Sequence, residues 1–148
     1  MNVEKDFREF IALLNKYKVR YLIIGGFAFS YYAEPRFTKD IDILIDSEGS
    51  NAKNLILAIQ DFGFKDIELT SADFLTPSQV IQLGIAPLRI DLLTVIKGLD
   101  FLELWHNRTT GKYGNIETFF ISKQDLIKSK RLSGRKQDLA DIEKLEQI

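Results

Sequence analysis

The chain has 148 residues, 45% of them hydrophobic with 11 Phe and 5 Tyr, which suits one domain with its own core and excludes a disordered chain. Its 20 Lys and Arg against 21 Asp and Glu leave a net charge of −1, which excludes a surface that coats nucleic acid through a broad positive field. With no Cys and a single His, His106, disulfides, thiolate zinc sites and a conventional Ser-His triad are excluded, and any chemistry runs on carboxylates and hydroxyls.

Val3, Phe7, Phe10, Ile11 and Leu14 recur at helical spacing and predict an amphipathic first helix that ends before Val19. The first residues lack a basic start followed by an apolar stretch. The longest apolar run, Tyr21 to Phe29, is broken by glycines and too short to span a bilayer, so a cytoplasmic location is expected. Val19 to Ile24 reads as a strand closed by Gly25-Gly26, followed by a short helix from Phe27 to Tyr32 and a loop from Ala33 to Lys39 around Pro35. Asp40 to Ile45 is the second strand. Ser50 to Phe62 is a helix with Leu55, Ile56, Ile59 and Phe62 on one stripe and Gly63 as its stop. Phe64 to Leu69, Gln79 to Leu83 and Leu88 to Val95 read as strands, the last two joined as a hairpin across positions 84–87. A helix from Leu99 to Trp105 and a strand from Ile116 to Ile121 follow. Ser122 with Asp125 forms a capping pair that opens a helix to Leu132, and Ser133-Gly134 separates it from a last helix carrying Leu139, Ile142 and Leu145. The expected fold class is α/β in the α+β sense: a single domain over 1–148, with a mixed-sheet core at about 19–121 and C-terminal helices at about 122–148.

Asp40-Ile41-Asp42 places two carboxylates on one face of a strand, roughly 6–7 Å apart. Like charges that close beside an apolar layer repel and lose hydration, so the pair calls for a cation. Asp91, within Leu88-Arg89-Ile90-Asp91-Leu92-Leu93, repeats the pattern on another strand and joins the first two if the strands are neighbours. Hard oxygen donors of this kind suit magnesium, and two such ions can clamp the attacking and leaving oxygens of a phosphoryl displacement. Taken singly, each Asp also reads as a solvent-facing strand end. Gly25-Gly26 lets an anionic ligand approach main-chain N–H groups at a helix start, although a plain strand-to-helix turn would use the same residues. Arg36 and Lys39 are placed to meet phosphates, and the Thr38 hydroxyl to orient a phosphate oxygen or a metal-bound water. The basic cluster Lys128, Lys130, Arg131, Arg135 and Lys136 reads either as a solvated helix face or, through Lys130 and Arg135, as a triphosphate or RNA contact.

The hydrophobic-Gly-Gly turn, the segment Arg36-x-Thr38-x-Asp40-x-Asp42 and the later strand-borne Asp91 resemble the nucleotidyltransferase superfamily that includes DNA polymerase beta, CCA-adding enzymes and aminoglycoside nucleotidyltransferases. The tail from Lys128 to Asp138 further resembles small stand-alone bacterial members related to abortive-infection toxins. The resemblance implies that Asp40 and Asp42 bind two magnesium ions, that Asp91 binds the catalytic ion and accepts the proton of the acceptor hydroxyl, and that Gly25-Gly26 hold the triphosphate. It also implies an NTP substrate and an acceptor that is a tRNA end, a partner-protein side chain or a small alcohol, in a toxin-antitoxin or phage-defence setting. Two departures stand out: Gly26 where the superfamily often has Ser, and Gln137 where the tail tends to have Lys. A phosphatase that carries its Asp-x-Asp pair after a strand is a poorer match, because apolar Ile43-Leu44-Ile45 follows the pair here. The other function class is a non-catalytic binding or antitoxin-like module on the same fold.

Overall fold

The computed structural model describes residues 4–63, 69–75, 80–84 and 89–148. The elements, in chain order, are α1 (Lys5–Lys16), β1 (Tyr21–Ile24), α2 (Gly25–Tyr32), β2 (Asp40–Ile45), α3 (Gly49–Phe62), α4 (Ser71–Leu75), β3 (Val80–Leu83), β4 (Arg89–Leu93), α5 (Phe101–His106), β5 (Thr109–Tyr113), β6 (Ile116–Phe120), α6 (Lys123–Ser133) and α7 (Lys136–Glu146). The strands form one six-stranded sheet in the order β3-β4-β2-β1-β6-β5. It is mixed: β2 runs parallel to β4 and β1 to β6, while the β1–β2, β3–β4 and β5–β6 pairs are antiparallel.

Alternation along the strands creates two cores. Tyr21, Ile23, Ile41, Ile43, Ile45, Ile90 and Leu92 point to the face covered by α1 and α3, meeting Phe7, Phe10, Ile11 and Leu14 from the first and Leu55 and Ile59 from the second. Leu22, Ile24 and Leu44 point the other way, against Phe29 of α2, Leu126 and Ile127 of α6, and Ile142 and Leu145 of α7. The predicted helical stripes are therefore the buried faces of α1 and α3. Burying each Phe, Leu or Ile in these layers contributes about 1.5–3 kcal/mol.

Most predicted elements appear with ends shifted by one or two residues. Helix α3 starts at Gly49 rather than Ser50, because the Glu48 carboxylate caps it by accepting from the backbone N–H groups of Ser50 at 3.0 Å and Asn51 at 3.3 Å. Ser122 caps α6 as expected, its Oγ accepting from the Asp125 N–H at 3.1 Å. The predicted strand at 64–69 lies outside the described residues except for Leu69, and so do positions 85–88, most of the predicted hairpin connection. Two elements were not predicted, α4 and the edge strand β5.

Asn51 locks the far end of β2 to β1. Its side chain is 1% exposed and donates to the carbonyls of Arg20 (3.1 Å) and Asp46 (2.8 Å), while its Oδ1 accepts from the Arg20 N–H (2.7 Å). Asn51→Leu strands the Arg20 N–H and the Asp46 carbonyl, while the Arg20 carbonyl keeps the Asp46 N–H at 3.3 Å, and a loss of about 1–3 kcal/mol in a denaturant unfolding experiment is expected.

Candidate active site

In the parallel β2–β4 register Asp42 lies directly beside Asp91, and Asp40 beside Arg89. All four therefore share one face, the face of Ile24 and Leu44, where the cover from α2, α6 and α7 is incomplete: Asp40 and Asp42 are half-buried and Asp91 is buried. The two acidic strands are neighbours, the condition on which Asp91 joins Asp40 and Asp42.

Ile24 also pairs with Asp42 across the antiparallel β1–β2 ladder, which sets the following turn against the carboxylate. Gly25 has φ +66°, and a Cβ there would stand 2.5 Å from the Asp42 Oδ2. A Cβ on Gly26 would meet the Thr38 methyl group at 2.5 Å. The glycine pair thus admits Asp42 on one side and Thr38 on the other, and the departure from Ser at position 26 matches the close seat of Thr38. Helix α2 begins at Gly25, not at Phe27, so both glycines belong to its first turn. Its N-cap, Ile24, supplies no side-chain hydrogen bond. Those first N–H groups are of the kind that bind phosphate. Gly25→Ala forces both an unfavourable φ and a contact with Asp42. A stability loss of about 1–3 kcal/mol by thermal unfolding is expected, with any metal affinity reduced because the carboxylate is displaced.

The electrostatics of the cluster are dominated by crowding. Burial pushes the Asp42 carboxyl up to about 6, the negative charges of Asp91 and Asp40 push in the same direction, and Arg89 opposes them. Among the described residues, no group of three His, Asp or Glu side chains is arranged to hold a metal ion as it stands. A guanidinium bridges two of the three carboxylates: Arg89 Nη2 donates to Asp40 Oδ2 at 2.8 Å and its Nε to Asp91 Oδ1 at 3.0 Å. The donor set itself, three carboxylates on one sheet face, fits a hard divalent cation.

The basic residues predicted to meet phosphate have other partners. Arg36 makes a two-pronged pair with Asp141 of α7 (Nη1–Oδ2 3.0 Å, Nη2–Oδ1 2.6 Å) and lies 3.9 Å above the Phe29 ring. Lys130, nearly buried, donates to the same Asp141 at 2.9 Å, and Gln137 donates to it at 2.9 Å. Arg135 pairs with Asp138 at 2.9 Å. Lys39 is exposed. Asp40, Asp42, Asp91, Gly25, Gly26 and Thr38 are thus brought together, Arg36 stands at their edge, and Lys130 and Arg135 belong to a network behind it. Sequence reading assigned no role to Arg89 or Asp141. An Arg two residues before a strand-borne Asp was the available signal for the first, since that spacing puts both on one face. For the second it was the spacing of Gln137, Asp138 and Asp141 on one side of a helix.

Beside Thr38 lies a hollow of about 270 Å³ between the start of α1, α2 and the loop before β2. Phe27, Ser30, Pro35 and Arg36 line it together with Phe37, which is 83% exposed.

No curated protein matches the sequence. Among solved structures, the fold is similar to that of the lincosamide antibiotic adenylyltransferase LnuA in its lincomycin-bound form, at 22% identity and TM-score 0.63 over 99% of this chain and 98% of that one. A candidate nucleotidyltransferase from Thermotoga maritima superposes with TM-score 0.63 at 17% identity, covering 93% of this chain and 88% of its own. An antigenic nucleotidyltransferase-like protein from Paracoccidioides brasiliensis does so with TM-score 0.56 at 17% identity over 97% and 77%. A family profile described as a nucleotidyltransferase of unknown function (DUF6036) spans residues 1–148, and the chain belongs to that family.

Proposed function

We propose that the protein transfers a nucleoside monophosphate from an NTP to an acceptor hydroxyl. The observation that carries this reading is the meeting of Asp42 with Asp91 directly against the Gly25 turn at the start of α2. Asp40, Asp42 and Asp91 would hold two magnesium ions, which when bound polarise the α-phosphate and neutralise the departing pyrophosphate. The triphosphate lies against the open N–H groups of Gly25 and Gly26, with the Thr38 hydroxyl on its flank. The acceptor oxygen forms a bond to the α-phosphorus, the bond to the β-phosphate oxygen breaks, and the acceptor proton passes to the Asp91 carboxylate. Positioning and electrostatics carry the rate, as no covalent intermediate is needed.

For the acceptor, we favour a small hydroxylated molecule over an RNA end or a protein side chain. The hollow next to Thr38 has the size for a small ring system and a mixed lining, with Phe27, Pro35 and Phe37 to pack a ring and Glu4, Ser30 and Arg36 to meet its polar groups. The net charge of −1 gives little general attraction for RNA, and Lys130 and Arg135 are engaged with Asp141 and Asp138. The adenylyltransferase LnuA, bound to lincomycin, has the same fold in a chain of nearly the same extent.

The test is transfer of label from each α-labelled NTP with magnesium, offering a panel of small hydroxylated compounds including lincosamides, total tRNA and lysate protein as separate acceptors. Label on a small compound is expected. Label confined to RNA or protein would move the acceptor class, and no label on any of them would leave a binding module rather than an enzyme. Among the described residues no helix is long and apolar enough to cross a membrane.

A further inference from the structure

We infer that Arg89 is an internal counter-ion that holds the carboxylate site closed to metal and leaves it when the metal binds. The inference rests on the nucleotidyl-transfer reading of the same site and adds to it a control on cation access.

Arg36 and Arg89 both grip aspartates, and they do so differently. Arg36 is pinned: both Nη atoms reach the fully buried Asp141, Phe29 stacks beneath, and Gln137 and Lys130 complete the shell. Arg89 reaches Asp91 through Nε (Oδ1, 3.0 Å) and Nη2 (Oδ2, 3.4 Å) and Asp40 through Nη2 (Oδ2, 2.8 Å), but its side chain remains 37% exposed and Asp40 is only half-buried. Both of its partners, Asp40 and Asp91, are residues that would otherwise ligate metal. The Asp42–Asp91 pair directly across parallel strands is repulsive, and in the metal-free protein a cation is required there. The Arg-x-Asp spacing on β4 supplies one covalently, on the correct face. A guanidinium and a dication cannot both occupy the carboxylate oxygens Asp40 Oδ2 and Asp91 Oδ1. A dication that takes these oxygens as ligands displaces the bonds to Arg89, and the long, partly exposed side chain has solvent into which it can turn. The consequence is weakened affinity for bare metal and a guanidinium released at the rim of the site as the cation enters.

The test is calorimetric titration of MnCl2 into wild-type, Arg89→Gln and Arg89→Lys proteins at pH 8, where Asp42 is ionised, with melting temperatures recorded with and without the metal. Arg89→Gln is expected to bind Mn2+ about tenfold more tightly than wild type, the worth of the partly exposed charge-assisted bonds to Asp40 and Asp91, with Arg89→Lys between them. Metal-free Arg89→Gln is expected to melt lower than wild type and to gain more from Mn2+, a crossing that a purely structural arginine would not produce. Equal or weaker Mn2+ binding by Arg89→Gln overturns the inference while leaving the nucleotidyl-transfer reading in place. Absence of Mn2+ binding in all three proteins overturns both.

Discussion

Asp42→Asn is expected to lower the rate of nucleotidyl transfer by at least about 1000-fold and, at the same time, to raise the melting temperature of the metal-free protein. The two effects have one cause. Asp42 is placed beside Asp91 and against the apolar end of β1, so its charge is destabilising until a cation arrives. Its carboxyl is pushed from the usual 3.8 up to about 6, by burial first and then by Asp91 and Asp40. A raised carboxyl means that the native state holds a proton the unfolded chain has already released, and stability falls as pH rises between about 4 and 6. A shift of this size corresponds to about 3 kcal/mol at most. Partial exposure of Asp42 and Asp40 reduces the expected gain from Asp42→Asn to about 1–2 kcal/mol, or a few degrees. In EDTA the stability gap between variant and wild type should therefore be small at pH 4, open by pH 6 and stay constant above. A gap independent of pH would mean that Asp42 is not held in this state. The trade of stability for an assembled charge cluster is what a catalytic carboxylate site predicts.

The second large effect belongs to Asp141. Asp141→Ala is expected to destabilise the protein by about 3–5 kcal/mol, measured by urea unfolding, because it leaves Arg36 and the nearly buried Lys130 without their shared counter-charge. Burial alone would raise the Asp141 carboxyl, but hydrogen bonds from Arg36, Lys130 and Gln137 outweigh it and hold the group well below the usual carboxylate range. Its contribution is accordingly present above the ordinary carboxylate range and is lost only as pH falls toward that depressed value. The change should also be felt at the site. Arg36 lies two residues before Thr38 and four before Asp40, and its tether to α7 fixes the loop that delivers both. Asp141→Asn keeps an acceptor for Arg36 without the charge. It is expected to fold with an intermediate loss, and to show a raised KM for the nucleotide if the tether positions the loop.

Much of this arrangement is legible in the chain. Asp40–Ile45 appears with the predicted ends because its alternation leaves one register: acids and Leu44 on one face, isoleucines on the other. Asp91 is legible as a candidate partner because it is a second acid set in an apolar strand; that the strands are neighbours, with Asp91 opposite Asp42, is seen only in the parallel β2–β4 pairing. The unpredicted parts depend on partners distant in sequence. Strand β5 is polar, contains Gly111 and is recognisable only through its ladder with β6. Lys130 reads as part of an exposed basic run, yet α7 folds back on α6 and brings Asp138 and Asp141 to it, converting a surface charge into a buried network. Arg36 was assigned to phosphate by its position in the motif; the same α7 acid binds it. Arg89 was legible as a residue on the acidic face of β4, but which of several carboxylates its guanidinium reaches is a rotamer decision that no sequence pattern carries.

The most direct measurement of the central claim is anomalous diffraction at the manganese edge from crystals grown with MnCl2 and a non-hydrolysable NTP analogue. The account predicts manganese density coordinated by oxygens of Asp40, Asp42 and Asp91, phosphates against the N–H groups of Gly25 and Gly26, and Arg89 turned away from Asp40. Manganese and nucleotide bound at another surface, with Arg89 still bridging Asp40 and Asp91, would contradict it.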